Sequence, residues 1–457
     1  MLNCYATLKP KHSIPITLIA QQHFPVWLKK QKPQIKNWLT STGFKPEVGK
    51  YSFIADDAGK LISVIYGIAD QNDFWSVGNL PLLLPEGVYE LAEENEKQIM
   101  AWGLGAYQFT RYKSATRKPA QLFLSKAMQQ VQNLVESIYL VRDLINTPTE
   151  DLGPSELAKA TATLAKDYQA EFKQIVGKEL LKQNYPAIHA VGRACDDEPR
   201  LLDLRWGNPK HFKLTLVGKG VCFDTGGLDL KNSSAMLLMK KDMGGAAHVL
   251  GLARMIMAAK LPVCLRVLIP AVENSVSGNA YRPGDVIGSR KGITIEIGNT
   301  DAEGRVVLAD ALTEAVSEQP DLLIDIATLT GAARVALGTE LPAMFANNDQ
   351  VAEGIIKHGQ KENDPVWRMP LFAAYRESLN SAIADINNAG TDAYAGAITA
   401  ALFLKEFVPD SIPWVHFDLM AWNVKTRPGR PQGGEAMAIR ALFNYLSTHI
   451  MPAKAGI

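Results

Sequence analysis

The sequence predicts an α/β protein: a mainly parallel sheet flanked by helices in a large C-terminal domain, with a smaller α/β domain at the N-terminus. Three observations predict it. At 457 residues the chain exceeds one ordinary domain, and a large domain with a smaller companion is the expected division. Apolar residues are 47% of the chain and charged residues 21%, which supplies a core and gives no compositional case for disorder. Beyond about residue 210, apolar runs of strand length alternate with segments of helical periodicity, the pattern of βαβ units.

Residues 1–125 form the expected small domain. They mix short apolar runs with Gly and Pro punctuation, as at 61–68 and 81–85, and carry no recognisable chemistry. A linking helix is expected over 126–150. From Ala127 onward Val131, Leu134, Val135, Ile138, Leu140, Val141 and Leu144 recur at helical spacing until Asn146-Thr147-Pro148 stops the helix. The second domain, 151–457, reads as strand 214–217, helix 244–259, strands 263–269 and 293–297, helix 305–317 and strand 322–326. In such a sheet a site lies beyond the carboxyl ends of the strands, so the residues just after each strand matter most.

Lys plus Arg number 48 against 47 for Asp plus Glu, so global charge gives no drive toward nucleic acid or an anionic membrane. Cys4, Cys195, Cys222 and Cys264 are scattered and form no Cys-x-x-Cys pair, which fits a reducing cytosol better than a disulfide framework. Charges and prolines interrupt the apolar run at 14–20, no apolar stretch reaches membrane-spanning length, and a cytoplasmic protein is expected.

Several chemistries are excluded by motif. Gly218-Lys219-Gly220 follows a strand without the third glycine of a dinucleotide fingerprint, and no Gly-Lys precedes Ser or Thr. His-Glu-x-x-His and Gly-x-Ser-x-Gly are both absent.

What remains is charge at strand ends: Lys219 and Asp224 after the first strand, Asp242 opening the next helix, and Asp301 with Glu303 after Ile297. Burying so many carboxylates requires compensating positive charge. In extended backbone, residues two apart point the same way, so Asp301 and Glu303 can face one target while Ala302 points away. Four carboxylates balance two divalent cations, which in hydrolytic sites sit about 3.5–4 Å apart. Lys231 and Arg305 are then surplus cations suited to an anion or oxyanion. Each piece alone also reads as ordinary structure. Asp224-Thr225-Gly226-Gly227 could be a turn, Asp242 a helix cap, and Asp301-Ala302-Glu303 the acidic start of a helix.

Asn299-Thr300-Asp301-Ala302-Glu303-Gly304-Arg305 resembles the signature of the leucyl aminopeptidase (M17) family. Val217-Gly218-Lys219-Gly220, Phe223-Asp224-Thr225-Gly226-Gly227, Lys231, Met239-Lys240-Lys241-Asp242-Met243 and Gly245-Ala246-Ala247 resemble its other metal-site segments in order and spacing. The resemblance runs from about Leu140 to Asn444. It implies hydrolysis of the N-terminal peptide bond of peptides with a free α-amine, with two metals bound by Lys219, Asp224, Asp242, Asp301 and Glu303. Asp224 and Glu303 would bridge the ions, Asp301 would add its backbone carbonyl, and Lys219 would bind as a neutral amine, its pKa lowered by the dication. One metal would hold the substrate amine and both would activate a bridging water.

The same resemblance implies that Lys231 stabilises the tetrahedral gem-diolate and that Arg305 holds a bicarbonate acting as general base. A side-chain pocket would involve Met239, Thr328, Gly331 and Met420. Thr328 and Gly331 lie in Ala327-Thr328-Leu329-Thr330-Gly331-Ala332. In His416-Phe417-Asp418-Leu419-Met420-Ala421 the family usually has Ala-Gly in place of Met420-Ala421, so the bulkier Met420 bears on pocket size and on any leucine preference. Zinc or manganese is the expected metal, with magnesium or cobalt also accepted by such ligands. A homohexamer acting on peptides is implied. DNA binding, a non-catalytic scaffold on the same fold and another dinuclear hydrolase are the rival readings.

Overall fold

The computed structural model describes residues 2–8, 12–70, 72–115, 117–125, 128–390 and 393–450, with the backbone alone at Gln129. The expected helix start at Ala127, the expected domain edge at Lys126 and the chain ends lie outside the described residues. The chain falls into two compact units, Met1–Tyr139 with Val424–Gln432, and Leu140–Asn423 with Gly433–Ile457. The division falls within the helix Gln129–Asn146.

The first unit is built on a six-stranded sheet, in the order Tyr5–Ala6, Gln121–Phe123, Val88–Leu91, Ile14–Ala20, Leu61–Ile68 and Tyr51–Ala55. All neighbours run parallel except the last pair, which is antiparallel. Helix Glu96–Gly105 begins at Asn95, whose side chain accepts from the N–H groups of Lys97 and Gln98, as a good N-cap does. The return segment belongs to this unit because it packs there. A Cβ on Gly78 would lie 2.3 Å from the Gly429 nitrogen, and the Arg430 guanidinium sits 4.5 Å from the centre of the Trp75 ring.

The second unit holds a nine-stranded sheet whose middle is parallel: Trp414–Asp418, Leu322–Ala327, Phe212–Gly218 and Val263–Asn274 lie side by side. Every residue of Leu322–Ala327 is buried, as expected of a strand covered on both faces. Helices Glu303–Val316 and Gly396–Lys405 supply Val306, Leu308, Leu312 and Phe403 to a core shared with Val217, Leu268, Leu323 and Trp414. Antiparallel strands widen the sheet. Arg200–Gly207 and Glu171–Val176 extend one side, and Ala343–Ala346 pairs with Trp414–Asp418 on the other.

Two expectations need correction. The strand expected at 293–297 is Thr294–Glu296, and it belongs to a separate three-stranded sheet with Val286–Gly288 and Ile386–Asn387. Asp301 and Glu303 do not lie in extended backbone either. Asp301 donates its N–H to the Asn299 side chain (2.7 Å), which closes a turn, and Glu303 is the first residue of helix Glu303–Val316. The helix start is where its dipole favours a carboxylate. Among the described residues, no helix is long and apolar enough to cross a membrane.

Candidate metal centre

The charged residues meet beyond the carboxyl ends of the central strands. Lys219 directly follows Phe212–Gly218, Asp224 ends the short strand Gly220–Asp224, and Asp242 lies in the 3-10 turn Met239–Met243 that leads into helix Gly244–Ala258. Glycine is required at the contact with the helix bearing Glu303. A Cβ at Gly304 would lie 2.5 Å from Lys219 Cε and 2.6 Å from its Nζ. At Gly226, φ is +89° and a Cβ would lie 2.4 Å from the Asp229 carbonyl oxygen, so only glycine folds the loop back at that point.

Asp224, Asp242 and Glu303 are buried and offer carboxylate oxygens that all lie within 4.8 Å of one another. Two lysines thread between the acids. Lys219 Nζ lies 2.6 Å from Asp242 Oδ2 and 2.8 Å from Glu303 Oε1, while Lys231 Nζ lies 2.9 Å from Asp224 Oδ2 and pairs with Asp301. The other Asp224 oxygen accepts from Gly226 N–H (2.8 Å) and Asn274 Nδ2 (2.9 Å). Asp242 Oδ1 accepts from the Thr328 hydroxyl at 2.8 Å. Among the described residues, Glu303 Oε2 has no hydrogen-bond partner although it is buried.

The electrostatics shows acids crowded beyond what two lysines balance. Burial first, and then Asp224, push Glu303 above its ordinary value, and the same two causes raise Asp301. Burial would also raise Asp242, but Lys219 and then Lys241 reverse it and hold the carboxyl low. Burial works against the Lys219 ammonium; Asp242, Glu303 and Asp224 outweigh it and keep the amine above its usual range. An oxygen-rich buried cluster with raised carboxyls and an unpartnered oxygen fits hard divalent cations, whose charge would lower those carboxyls.

Arg305 is buried, donates from Nη1 to the Asn388 carbonyl (2.9 Å) and leaves Nε without a partner among the described residues. Burial pushes its pKa down to about 10, so it stays charged at neutral pH. Of the expected pocket residues, Met239, Thr328 and Met420 are buried and Gly331 is exposed. The structure ties Thr328 to the acids through its hydroxyl, which a purely pocket-lining reading does not anticipate.

Several supporting residues escaped the motif reading. Asn274, at the end of Val263–Asn274, donates to both Asp224 and the Thr300 carbonyl. Tyr281 donates to that same carbonyl at 2.7 Å. Asp418 accepts from the N–H groups of Leu329 and Thr330 and from the Thr330 hydroxyl, and so fixes the loop after Leu322–Ala327. Asn388 donates to the carbonyls of Asn299 and Ala302. Asn274 and Asp418 end strands and Asn388 follows one, a placement that the sequence reading did not anticipate.

Comparison with known proteins shows the family. The profile of the cytosol aminopeptidase family, catalytic domain, matches residues 139–443, and that of the M17 aminopeptidase N-terminal domain matches residues 14–125. The second match extends likeness into the region where motifs show little. A probable cytosol aminopeptidase of Prochlorococcus marinus is 38% identical over 385 residues, covering 81% of this chain and 78% of its own. Among solved structures, the cytosol aminopeptidase from Coxiella burnetii is 53% identical with a TM-score of 0.96, covering 98% of this chain and 100% of its own. The bottromycin maturation enzyme BotP in complex with Mn is 30% identical with a TM-score of 0.85, covering 95% and 99%.

Proposed function

The chain belongs to the cytosol aminopeptidase family, whose members are metallo-aminopeptidases, and on that premise we propose that it removes the N-terminal residue of peptides through two divalent ions held by Lys219, Asp224, Asp242, Asp301 and Glu303. The observation that carries this reading is the convergence of Asp224, Asp242 and Glu303 within 4.8 Å in a buried setting. Asp224 and Glu303 would hold the ions from the heart of the cluster, and Asp301 would contribute from its edge. When bound, the ions supply Lewis acidity and ionise water at neutral pH.

The chain's own groups do the rest. The centre would hold the free α-amine of a peptide in its neutral form, which would make the enzyme an exopeptidase. Lys231 lies between Asp224 and Asp301 and presents an ammonium that stabilises the oxyanion developing on the scissile carbonyl. Arg305 would hold a bicarbonate that would supply the general base, and its Nε, without a partner among the described residues, supports that role. Thr328 and Asn274 orient Asp242 and Asp224, as groups behind metal ligands do. Met239, Thr328, Gly331 and Met420 shape the pocket for the N-terminal side chain.

Zinc or manganese is the metal we favour, with magnesium and cobalt compatible with the same ligands; the manganese complex of BotP is that of a relative. We place the protein in the cytoplasm, which four unpaired thiols fit. Titration of the metal-free protein with Mn2+ or Zn2+ by calorimetry tests the centre. Two ions per chain are expected, falling to one or none in Glu303→Ala, whereas no high-affinity binding by the wild type would refute it.

A further inference from the structure

At the end of the large sheet opposite the acidic cluster, a cavity of about 490 Å³ opens among the starts of the parallel strands. We propose that it is a binding site for a free α-amino acid, whose carboxylate is received by Lys213 and Thr215 and whose ammonium is received by Glu318. That such an amino acid is the reaction's own product rests on the aminopeptidase reading; the binding itself does not.

The register of the sheet builds this cavity. Thr215, Arg266, Arg205 and Glu171 stand opposite one another on four neighbouring strands, and Lys213, Cys264 and Gly207 form the next row on the same face. Gly207 has no side chain and Cys264 a short one, so the second row lies low among the long side chains around it. Glu318 and Pro320, beyond the end of helix Glu303–Val316, line the cavity from one side, and Trp206 lines it as well. The volume falls within the range of about 300–1,000 Å³ typical of small-molecule sites. Lys213 and Thr215 lie on strand Phe212–Gly218, whose other end leads directly to Lys219, so the cavity is separate from the metal centre.

The lining charges choose the ligand. Both arginines are committed: Arg266 to Asp203 (2.8 Å) and Glu314 (2.7 Å), and Arg205 to Asp203 (3.1 Å) and Glu318 (2.7 Å). Lys213 is not. Its Nζ reaches only the Glu318 carbonyl, at 3.4 Å, and forms no ion pair among the described residues. Thr215 is 3% exposed, and its hydroxyl has no hydrogen-bond partner among the described residues. A buried hydroxyl without a partner is costly, and a carboxylate supplies strong acceptors to it and to the ammonium together. Glu318, whose backbone already meets Lys213, has a side chain 44% exposed and lone pairs to spare for an incoming ammonium. A cation and an anion held side by side match the adjoining carboxylate and ammonium of an amino acid, and Trp206 and Pro320 offer apolar surface to its side chain. A polyanion would be repelled by Glu171 and Glu318.

Cys264, a half-buried thiol lining the cavity, reports its occupancy. Alkylation of each cysteine of the metal-loaded full chain by N-ethylmaleimide is followed by peptide mass spectrometry, with and without L-leucine. Saturating leucine is expected to slow Cys264 by about tenfold or more and to leave Cys195, half-buried outside the cavity, unchanged. Leucinol, which lacks the carboxylate, and isocaproate, which lacks the amine, should each need about tenfold higher concentration for the same protection, the scale of a charge-assisted contact. Lys213→Ala should lose the protection. Equal Cys264 rates with and without leucine, a Cys264 that does not react at all, equal protection by either half-ligand, or full protection in Lys213→Ala overturns the proposal. Because the three ligands are compared on the wild type, a variant that fails to fold leaves the test intact. Peptide cleavage without protection refutes only this inference, whereas protection in a chain that cleaves no peptide supports the site and refutes the aminopeptidase reading.

Discussion

Single residues in this chain have their protonation set by where the fold puts them. His248 is fully buried in helix Gly244–Ala258. Its Nδ1 contacts the Gly244 carbonyl at 2.6 Å and its Nε2 accepts from Met437 N–H at 2.9 Å, which defines a neutral ring with the proton on Nδ1. Burial pushes its pKa down to about 4 from an ordinary 6.5. The unfolded chain therefore binds more protons between these values, so the contribution is complete above pH 6.5 and is lost as pH falls toward 4. The loss reaches about 3 kcal/mol. Denaturant unfolding from pH 7.5 to 4.5 should show a pH slope that is shallower by up to one proton in His248→Gln; equal slopes would contradict the assignment. Other residues were readable without coordinates. Lys219, Asp224, Asp242, Asp301 and Glu303 are charges in apolar surroundings at strand ends, and a family signature surrounds them. Asn274, Asn388 and Asp418 were not, because amides and a single acid far along the chain look ordinary until the fold brings them beside the acidic cluster.

Elements were legible in proportion to their burial. The central strands read as apolar runs because both faces are covered, and Leu322–Ala327 appears one residue from its expected end. The antiparallel strand Arg200–Gly207 mixes Arg, Asp and Trp with leucines, so its period competes with its charge. Thr294–Glu296 is too short to reveal which sheet it joins. Long-range pairing was equally hidden, as the helix Gln129–Asn146 shows. Its Arg142 is fully buried and donates to Glu435 Oε1 from Nε (3.1 Å) and Nη2 (3.0 Å), across 293 positions of sequence. Asn423 and Ala436 N–H also donate to Glu435, so one carboxylate ties the helix to the strands Trp422–Asn423 and Gly433–Gly434. Removing one member of a buried pair strands the other's charge. Arg142→Met should lower unfolding stability by about 3–5 kcal/mol, measured by urea titration, and a loss below about 1 kcal/mol would show the pair to be dispensable.

At the scale of the whole molecule, the family reading bears on assembly. We propose a homohexamer, a dimer of trimers acting on peptide substrates, and exposed apolar side chains of the second unit such as Leu230, Leu237 and Val335 support burial against further copies. Sedimentation at six times the 50.0 kDa chain mass is expected, and a monomer at micromolar concentration would contradict it. Near-equal numbers of acidic and basic residues favour peptide hydrolysis over nucleic-acid binding as the role of this molecule. One assay tests both the metal ions and the recognition of a free amine at this centre. The metal-loaded protein and its Glu303→Ala variant are each given an amino-acid p-nitroanilide panel and the N-acetylated counterparts. Metal-dependent cleavage of the free-amine compounds alone is expected, with activity lost in the variant. Equal cleavage of acetylated and free compounds, or turnover that survives both metal removal and the substitution, would contradict it.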